Sequence, residues 1–338
     1  MSVDPAAASN GAHPGGRSRS PRRTLNRLRA ELPVTAMSAT GTAAVRLRQL
    51  TGREIIDLAS LQDAVAMGYH VAEVRRKHRG GDYQVDEFGF DRTWTEALIP
   101  LFRILYRRYW RVETTGMEVV PSHGPALLVS NHSGVLPLDG AMIEVAVFDE
   151  TDRVPRALVA SWFGGLPVLS WLLRRTGQTT GHPDDSVRLL RAGELVLVFP
   201  EGVRGTGKPF SERYRLRRFG RGGFAEVALR AGAPIIPISV VGAEEIYPMI
   251  ADVQPLAKLI GMPYFPVTPT WPLLGPLGLI PLPSKWRIRF HPPVRTDQYG
   301  PDAADDPSLV MRISDEVRDT IQAGLVNELA RRKGVFRG

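Results

Sequence analysis

A histidine at the end of a buried strand, with a carboxylate a few positions on, is a candidate general base. In this chain the apolar run Leu127-Leu128-Val129-Ser130 stops at Asn131-His132, and Asp139 follows at the expected start of a helix. A carboxylate accepting from one ring nitrogen fixes the tautomer and leaves the other nitrogen to take a proton from an attacking hydroxyl. Asp139 would equally cap the helix it opens, and the two roles are compatible. A second apolar run, Leu195 to Phe199, ends in Pro200-Glu201-Gly202-Val203-Arg204-Gly205. Arg204 is suited to anchor a phosphate through bidentate, charge-assisted bonds. Glu201 would position that arginine, accept from a substrate hydroxyl, or form a simple turn salt bridge. Gly202, Gly205 and Gly207 let the backbone approach a ligand closely.

Other chemistries find little footing. Gly202 to Lys208 has the glycine and lysine spacing of a nucleotide-binding loop after a strand, but Pro209 stands where a metal-binding Ser or Thr and a continuing helix are required. There is no Gly-x-Ser-x-Gly elbow. The chain has no cysteine, which excludes disulfides, zinc thiolates and thiol nucleophiles. His132, His182 and His291 are too scattered for a recognisable metal site, so no metal and no resident cofactor are expected.

The elements that must position these residues read as an α/β pattern. Strands are expected at Val112 to Val120, Ala126 to Ser130, Ala157 to Ala160, Leu195 to Phe199, Ile235 to Val241 and Trp286 to Phe290. Helices are expected at Asp139 to Phe148, Leu166 to Arg175, Asp185 to Ala192, Phe224 to Ala231 and Leu309 to Arg332. Continuous apolar strands separated by helices imply a mostly parallel central sheet covered on both faces. In such sheets ligands bind beyond the carboxyl ends of the strands, where His132 and Glu201 fall.

Outside this core, residues 1–35 are rich in Ala, Ser, Gly, Pro and Arg, and read as a disordered basic tail. Residues 36–111 read as a helical N-terminal region. Within it Phe88 to Arg111 places Trp94, Leu98, Leu101, Ile104, Leu105 and Tyr109 at helical spacing among arginines, which suits either a membrane interface or a core-facing helix with a basic outer face. Residues 112–338 form the α/β domain. Inside that domain the proline-broken apolar stretch 255–283 cannot be one spanning helix. Its large side chains must pack on the protein or form an apolar patch that dips into lipid. No window offers the ~20 uninterrupted apolar residues of a spanning helix, and no signal peptide is visible. Lys+Arg 43 against Asp+Glu 35 gives a net charge of +8, which suits anionic lipid, nucleic acid or a phosphorylated substrate. No nucleic-acid recognition module is present. A cytoplasmic protein, held peripherally on the cytoplasmic face of the cell membrane, is expected.

Three blocks together resemble the glycerolipid acyltransferase superfamily, of the glycerol-3-phosphate and 1-acylglycerol-3-phosphate type. They are Asn131-His132 with Asp139, Phe199-Pro200-Glu201-Gly202-Val203-Arg204, and Ala233-Pro234-Ile235-Ile236-Pro237, in the family's order. The resemblance implies transfer of an acyl chain from a CoA or carrier-protein thioester to a lipid hydroxyl, with a membrane-facing apolar platform. It implies that His132 is the base and Asp139 its partner, that Asn131, Glu201, Gly202 and Arg204 meet the substrate, and that Pro237 shapes the acyl pocket. Six residues separate His132 from Asp139 where the family commonly has four, and Pro137 takes the usual place of the Asp. The two extra residues are expected to bulge and leave Asp139 near His132. A catalytically silent lipid-binding or scaffold protein of the same fold is the alternative.

Overall fold

A computed structural model describes residues 58–133, 136–160 and 167–337. The tail expected over residues 1–35 and the stretch up to residue 57 lie outside the described residues. Helices α1 (Leu58–Gly80) and α2 (Arg92–Ile104) come first, and α2 continues as a π-helical turn, Leu105–Tyr109. The helix expected from Phe88 starts later because Asp86 accepts the N–H groups of Phe88 and Phe90, both at 2.9 Å, and holds a turn there. Asp91 then caps α2 by accepting from the Thr93 N–H at 3.0 Å.

The basic residues of α2 are not simply an outer face. Arg103 is 2% exposed and pairs with Asp149 at 2.6 Å and with Asp63 of α1 at 3.9 Å. Arg107 reaches Asp149 at 3.1 Å and Asp63 at 3.3 Å. Burial raises the Asp63 carboxyl, while Arg107 and Arg103 draw it back.

The α/β part follows as β1 (Glu113–Thr115), β2 (Ala126–Ser130), α3 (Leu138–Thr151), β3 (Arg156–Val159), α4 (Pro167–Arg175), β4 (Thr179–Thr180), α5 (Pro183–Arg191), β5 (Leu195–Val198) and α6 (Val203–Thr206). Then come α7 (Gly223–Ala231), β6 (Ile235–Val241), β7 (Ala251–Asp252), α8 (Gln254–Leu259), β8 (Pro266–Val267), β9 (Arg287–Phe290) and α9 (Pro307–Arg331). Seven strands form one sheet in the order β1-β9-β6-β2-β5-β3-β4, with only β6 and β9 antiparallel to each other. The expected mostly parallel sheet flanked by helices is what the chain adopts. The strand expected over Val112 to Val120 stops at Thr115, because Gly116 turns with φ 80° and a side chain there would strike the Phe290 carbonyl.

Alternation along the central strands builds two apolar layers. Leu128, Leu195, Leu197, Ile236 and Ile238 face α2 and α3 together with Met142, Ile143 and Trp286. Leu127, Val129, Val196 and Ile235 face α5, α7 and α9 through Leu190, Leu229, Val317 and Ile321. β2 is buried at every position and lies between β5 and β6, both parallel to it. Its carboxyl end is therefore the centre of one sheet edge.

Segment 255–283 folds as short pieces, most of α8, β8 and a series of turns, rather than one element. Tyr264 and Thr268 point inward at 6% and 2% exposure, whereas Leu273, Leu274, Leu277, Leu279 and Ile280 stand from half to four-fifths exposed. No helix among the described residues is long and apolar enough to cross a membrane.

Candidate active site

Parallel β2, β5 and β6 bring Asn131, Glu201 and Gly242 out at neighbouring positions of that edge. Asn131 extends the sheet by one step. Its Oδ1 accepts the Val240 N–H at 2.8 Å and its Nδ2 donates to the Val240 carbonyl at 3.0 Å, so the side chain replaces a backbone partner. The amide expected to meet substrate is thus buried and committed to β6, where it fixes the point at which the next residue leaves the sheet.

That residue is His132, whose side chain is 14% exposed. Its Nδ1 lies 2.9 Å from Oδ2 of Asp139, a residue with no exposure. The same oxygen accepts the Ser133 N–H at 2.9 Å, and Oδ1 accepts the Gly140 N–H at 2.9 Å. A carboxylate surrounded by donors is an acceptor, so His132 Nδ1 carries the proton and Nε2 keeps its lone pair. Nε2 has no hydrogen-bond partner among the described residues. Despite the longer spacing, Asp139 reaches the imidazole because it stands in the first turn of α3, with Pro137 at the cap position before the helix.

The Phe199 ring stacks on the imidazole at 4.3 Å between centroids and 26° between planes. Gly140 packs against the same ring, where a Cβ would sit 3.6 Å from it. In sequence Phe199 ends an apolar run and opens the Phe-Pro-Glu-Gly-x-Arg block, with no role against the imidazole foreseen. Its contact limits the imidazole to the plane in which Nδ1 meets Asp139.

Glu201 clasps the two halves of the site together. It is 3% exposed, its Oε1 accepts the His132 N–H at 3.1 Å, and its Oε2 accepts the Arg217 N–H at 2.7 Å. Lys208 Nζ lies 3.6 Å from Oε2 and 3.2 Å from Glu244, itself buried. Burial pushes the Glu244 carboxyl up to about 7 against the pull of Lys208. Both Glu201 oxygens are therefore engaged by the protein, which gives this residue a positioning place rather than an open face. Lys208 is 6% exposed and cannot serve as a phosphate-reaching lysine of a nucleotide loop.

The glycines of this loop have separate reasons. Gly202 adopts φ 54° and ψ −146°, a region that side-chain-bearing residues enter only under strain. A Cβ at Gly205 would lie 2.8 Å from Glu201 Cβ and 2.9 Å from the His132 carbonyl oxygen. Gly205 thus allows α6 to lie directly on His132. Its neighbour Arg204 is exposed, with no hydrogen bond or ion pair to a described residue. Tyr264 reaches back from segment 255–283 to seal the loop. A Cβ at Gly207 would sit 3.1 Å from its ring, and burial raises the phenol while a hydrogen bond with Thr206 lowers it.

His132, Asp139, Glu201, Gly202 and Arg204 are therefore brought together from two strand ends. Pro237 is not at this edge. It is buried within β6 opposite Val129, and its carbonyl accepts the His291 N–H at 2.9 Å.

Residues 111–241 match the family model described as Acyltransferase. The chain belongs to the acyltransferase family. The resemblance carried by the three sequence blocks is borne out at that level, and the enzyme class, an acyltransferase, with it. An uncharacterized protein of Mycobacterium tuberculosis is 51% identical over 285 residues, covering 83% of this chain and 78% of its own length. The human protein named DGAT1/2-independent enzyme synthesizing storage lipids is 34% identical over 126 residues, 37% of this chain and 38% of that protein. Among solved structures, the 1-acyl-sn-glycerophosphate (LPA) acyltransferase PlsC from Thermotoga maritima is similar with a TM-score of 0.46 and 17% identity, over 81% of this chain and 99% of that one.

Proposed function

We propose that this acyltransferase moves a fatty acyl group from a CoA or carrier-protein thioester to a hydroxyl of a glycerol-phosphate or lysophospholipid acceptor. The observation that carries the reading is the His132–Asp139 pair, whose Nε2 has no partner among the described residues, with Arg204, also unpaired among them, in the loop that carries Glu201. Nε2 takes the proton of the acceptor hydroxyl as its oxygen attacks the thioester carbonyl carbon, while Asp139 holds Nδ1–H and supports the imidazolium. The C–O bond forms, the tetrahedral intermediate collapses with loss of the C–S bond, and the departing thiolate recovers the proton from Nε2. No covalent bond to the enzyme is needed. Arg204 would hold the acceptor's phosphate.

The exposed aliphatic groups of Leu273 to Ile280 support peripheral attachment to lipid, which we place at the cytoplasmic face of the cell membrane. Lipid tails would then reach the site without the enzyme spanning the bilayer. The human relative's name concerns storage lipids, so a neutral acylglycerol belongs among the acceptors to be tried.

The test crosses acyl thioesters with glycerol-3-phosphate, lysophosphatidate and a neutral acylglycerol, using the full chain and Arg204→Ala. The expected result is preference for a phosphorylated acceptor, with Arg204→Ala raising only that acceptor's KM by about tenfold or more, the worth of a charge-assisted hydrogen bond. An unchanged acceptor preference in Arg204→Ala would remove the phosphate from Arg204.

A further inference from the structure

Residues 213–221, Arg-Tyr-Arg-Leu-Arg-Arg-Phe-Gly-Arg, carry five arginines in nine positions. Tyr214, Leu216 and Phe219 are buried among the side chains of α7 and α9. Arg213, Arg215, Arg218 and Arg221 are exposed. The segment is a fastened strap. The Gly242 N–H donates to the Tyr214 hydroxyl at 2.9 Å, and the Leu216 N–H donates to Gln322 Oε1 at 3.0 Å. Gln322 Nε2 donates to the Tyr214 carbonyl at 2.9 Å, and Lys208 Nζ to the Arg215 carbonyl at 3.0 Å. The Arg217 N–H completes the set on Glu201.

The charges on this rigid strap are largely unanswered. Arg217 pairs with Glu212 at 2.6 Å, and Arg213 lies over the Phe210 ring at 4.4 Å. The guanidinium groups of Arg215, Arg218 and Arg221 have neither hydrogen bond nor ion pair among the described residues. Like charges carried close together along a fastened backbone attract a multiply charged anion. Arg218 also borders a cavity of about 240 Å³ between the strap and α9, which Ser314, Asp315 and Arg318 line from the helix side. Arg318 lies 3.2 Å from Asp319 and has no other ion pair among the described residues.

We propose that the strap and this cavity bind the phosphorylated nucleotide end of an acyl-CoA donor, an inference that rests on the acyl-transfer reading above. Several phosphates answer several arginines. A cavity suits a nucleotide better than it suits a flat lipid surface, and Asp315 within it suits an amino or hydroxyl donor of a nucleoside, which inorganic phosphate lacks. Glu201 ties the strap to His132 through its two oxygens, so one side chain joins the nucleotide site to the base, and the thioester arm would run from one to the other. Arg204, between Glu201 and the strap in sequence, stays free for the acceptor.

The experiment titrates the full chain with CoA and with pantetheine, using wild type, Arg218→Ala with Arg318→Ala, and Arg218→Lys, beside donor and acceptor KM values. The expected result is CoA binding that the double variant weakens tenfold or more, pantetheine binding that it leaves alone, and partial retention in Arg218→Lys. Donor KM should rise for acyl-CoA while acceptor KM stays fixed, with the melting temperature unchanged because both side chains are at the surface. Equal CoA affinity in wild type and double variant would overturn the proposal, as would loss of anionic-vesicle binding with CoA affinity intact. CoA binding lost in the double variant of a protein that transfers no acyl group would instead leave the strap standing and remove the acyl-transfer chemistry.

Discussion

At the residue scale, the site depends on one imidazole held on three sides. Asp139 fixes Nδ1, Phe199 fixes the ring plane, and Glu201 holds the backbone N–H. Asp139 is the sharper of the residues to change, because its carboxylate also accepts from Ser133 and Gly140. In Asp139→Asn one amide oxygen replaces two: kept toward His132 and Ser133 it leaves the NH₂ against the Gly140 N–H, turned toward Gly140 it aims the NH₂ at the imidazole and the Ser133 N–H, and in either case the imidazolium loses its counter-charge. Turnover is therefore expected to fall by about 10²-fold or more with the circular dichroism spectrum unchanged. Retention of most activity would mean that His132 needs no carboxylate.

At the element scale, the site is a product of sheet order. β2 lies between two strands parallel to it, so the ends that carry His132 and Glu201 meet without a long loop. This much was legible in sequence, because continuous apolar runs stopping at polar residues mark buried parallel strands and their ends; β2 and β6 fall at the expected residues. The inward turn of Arg103 was not legible, since helical spacing gives a face and not the partner that neutralises it. Nor were the roles of Asn131 and Glu201, which read as substrate contacts but bond to Val240, His132 and Arg217, groups far away in sequence. Helix α9 provides a further test of packing. A Cβ at Gly324 would lie 2.3 Å from Ser239 Oγ and 2.4 Å from His291 Nε2, where the helix crosses β6. Gly324→Ala should cost about 1–3 kcal/mol in a denaturant melt, the usual penalty of overpacking. An unchanged midpoint would show that α9 can lift off the sheet freely.

At the scale of the whole molecule, the polar groups beneath the sheet set its tolerance of acid. Burial, with Arg289 nearby, lowers the His291 imidazole from 6.5 to about 4. Its Nε2 lies 2.8 Å from Ser239 Oγ, whose own proton goes to the Ile321 carbonyl at 2.9 Å, so His291 is the donor and is neutral. The unfolded chain binds this proton first as pH falls. The contribution is thus complete above about 6.5 and is lost toward about 4, with a total on the order of a few kcal/mol. Melts across that window should show His291→Gln losing less stability than wild type, and parallel curves would remove His291 from the acid response. The fold, the charge and the apolar turn matter to function only if the molecule transfers acyl groups through His132. The most direct measurement is thioester consumption with a phosphorylated acceptor by wild type and His132→Ala at matched folding. Turnover is expected in the wild type, with a loss of about 10²- to 10⁴-fold in the variant. A folded His132→Ala enzyme that keeps most of its turnover would contradict acyl transfer through His132.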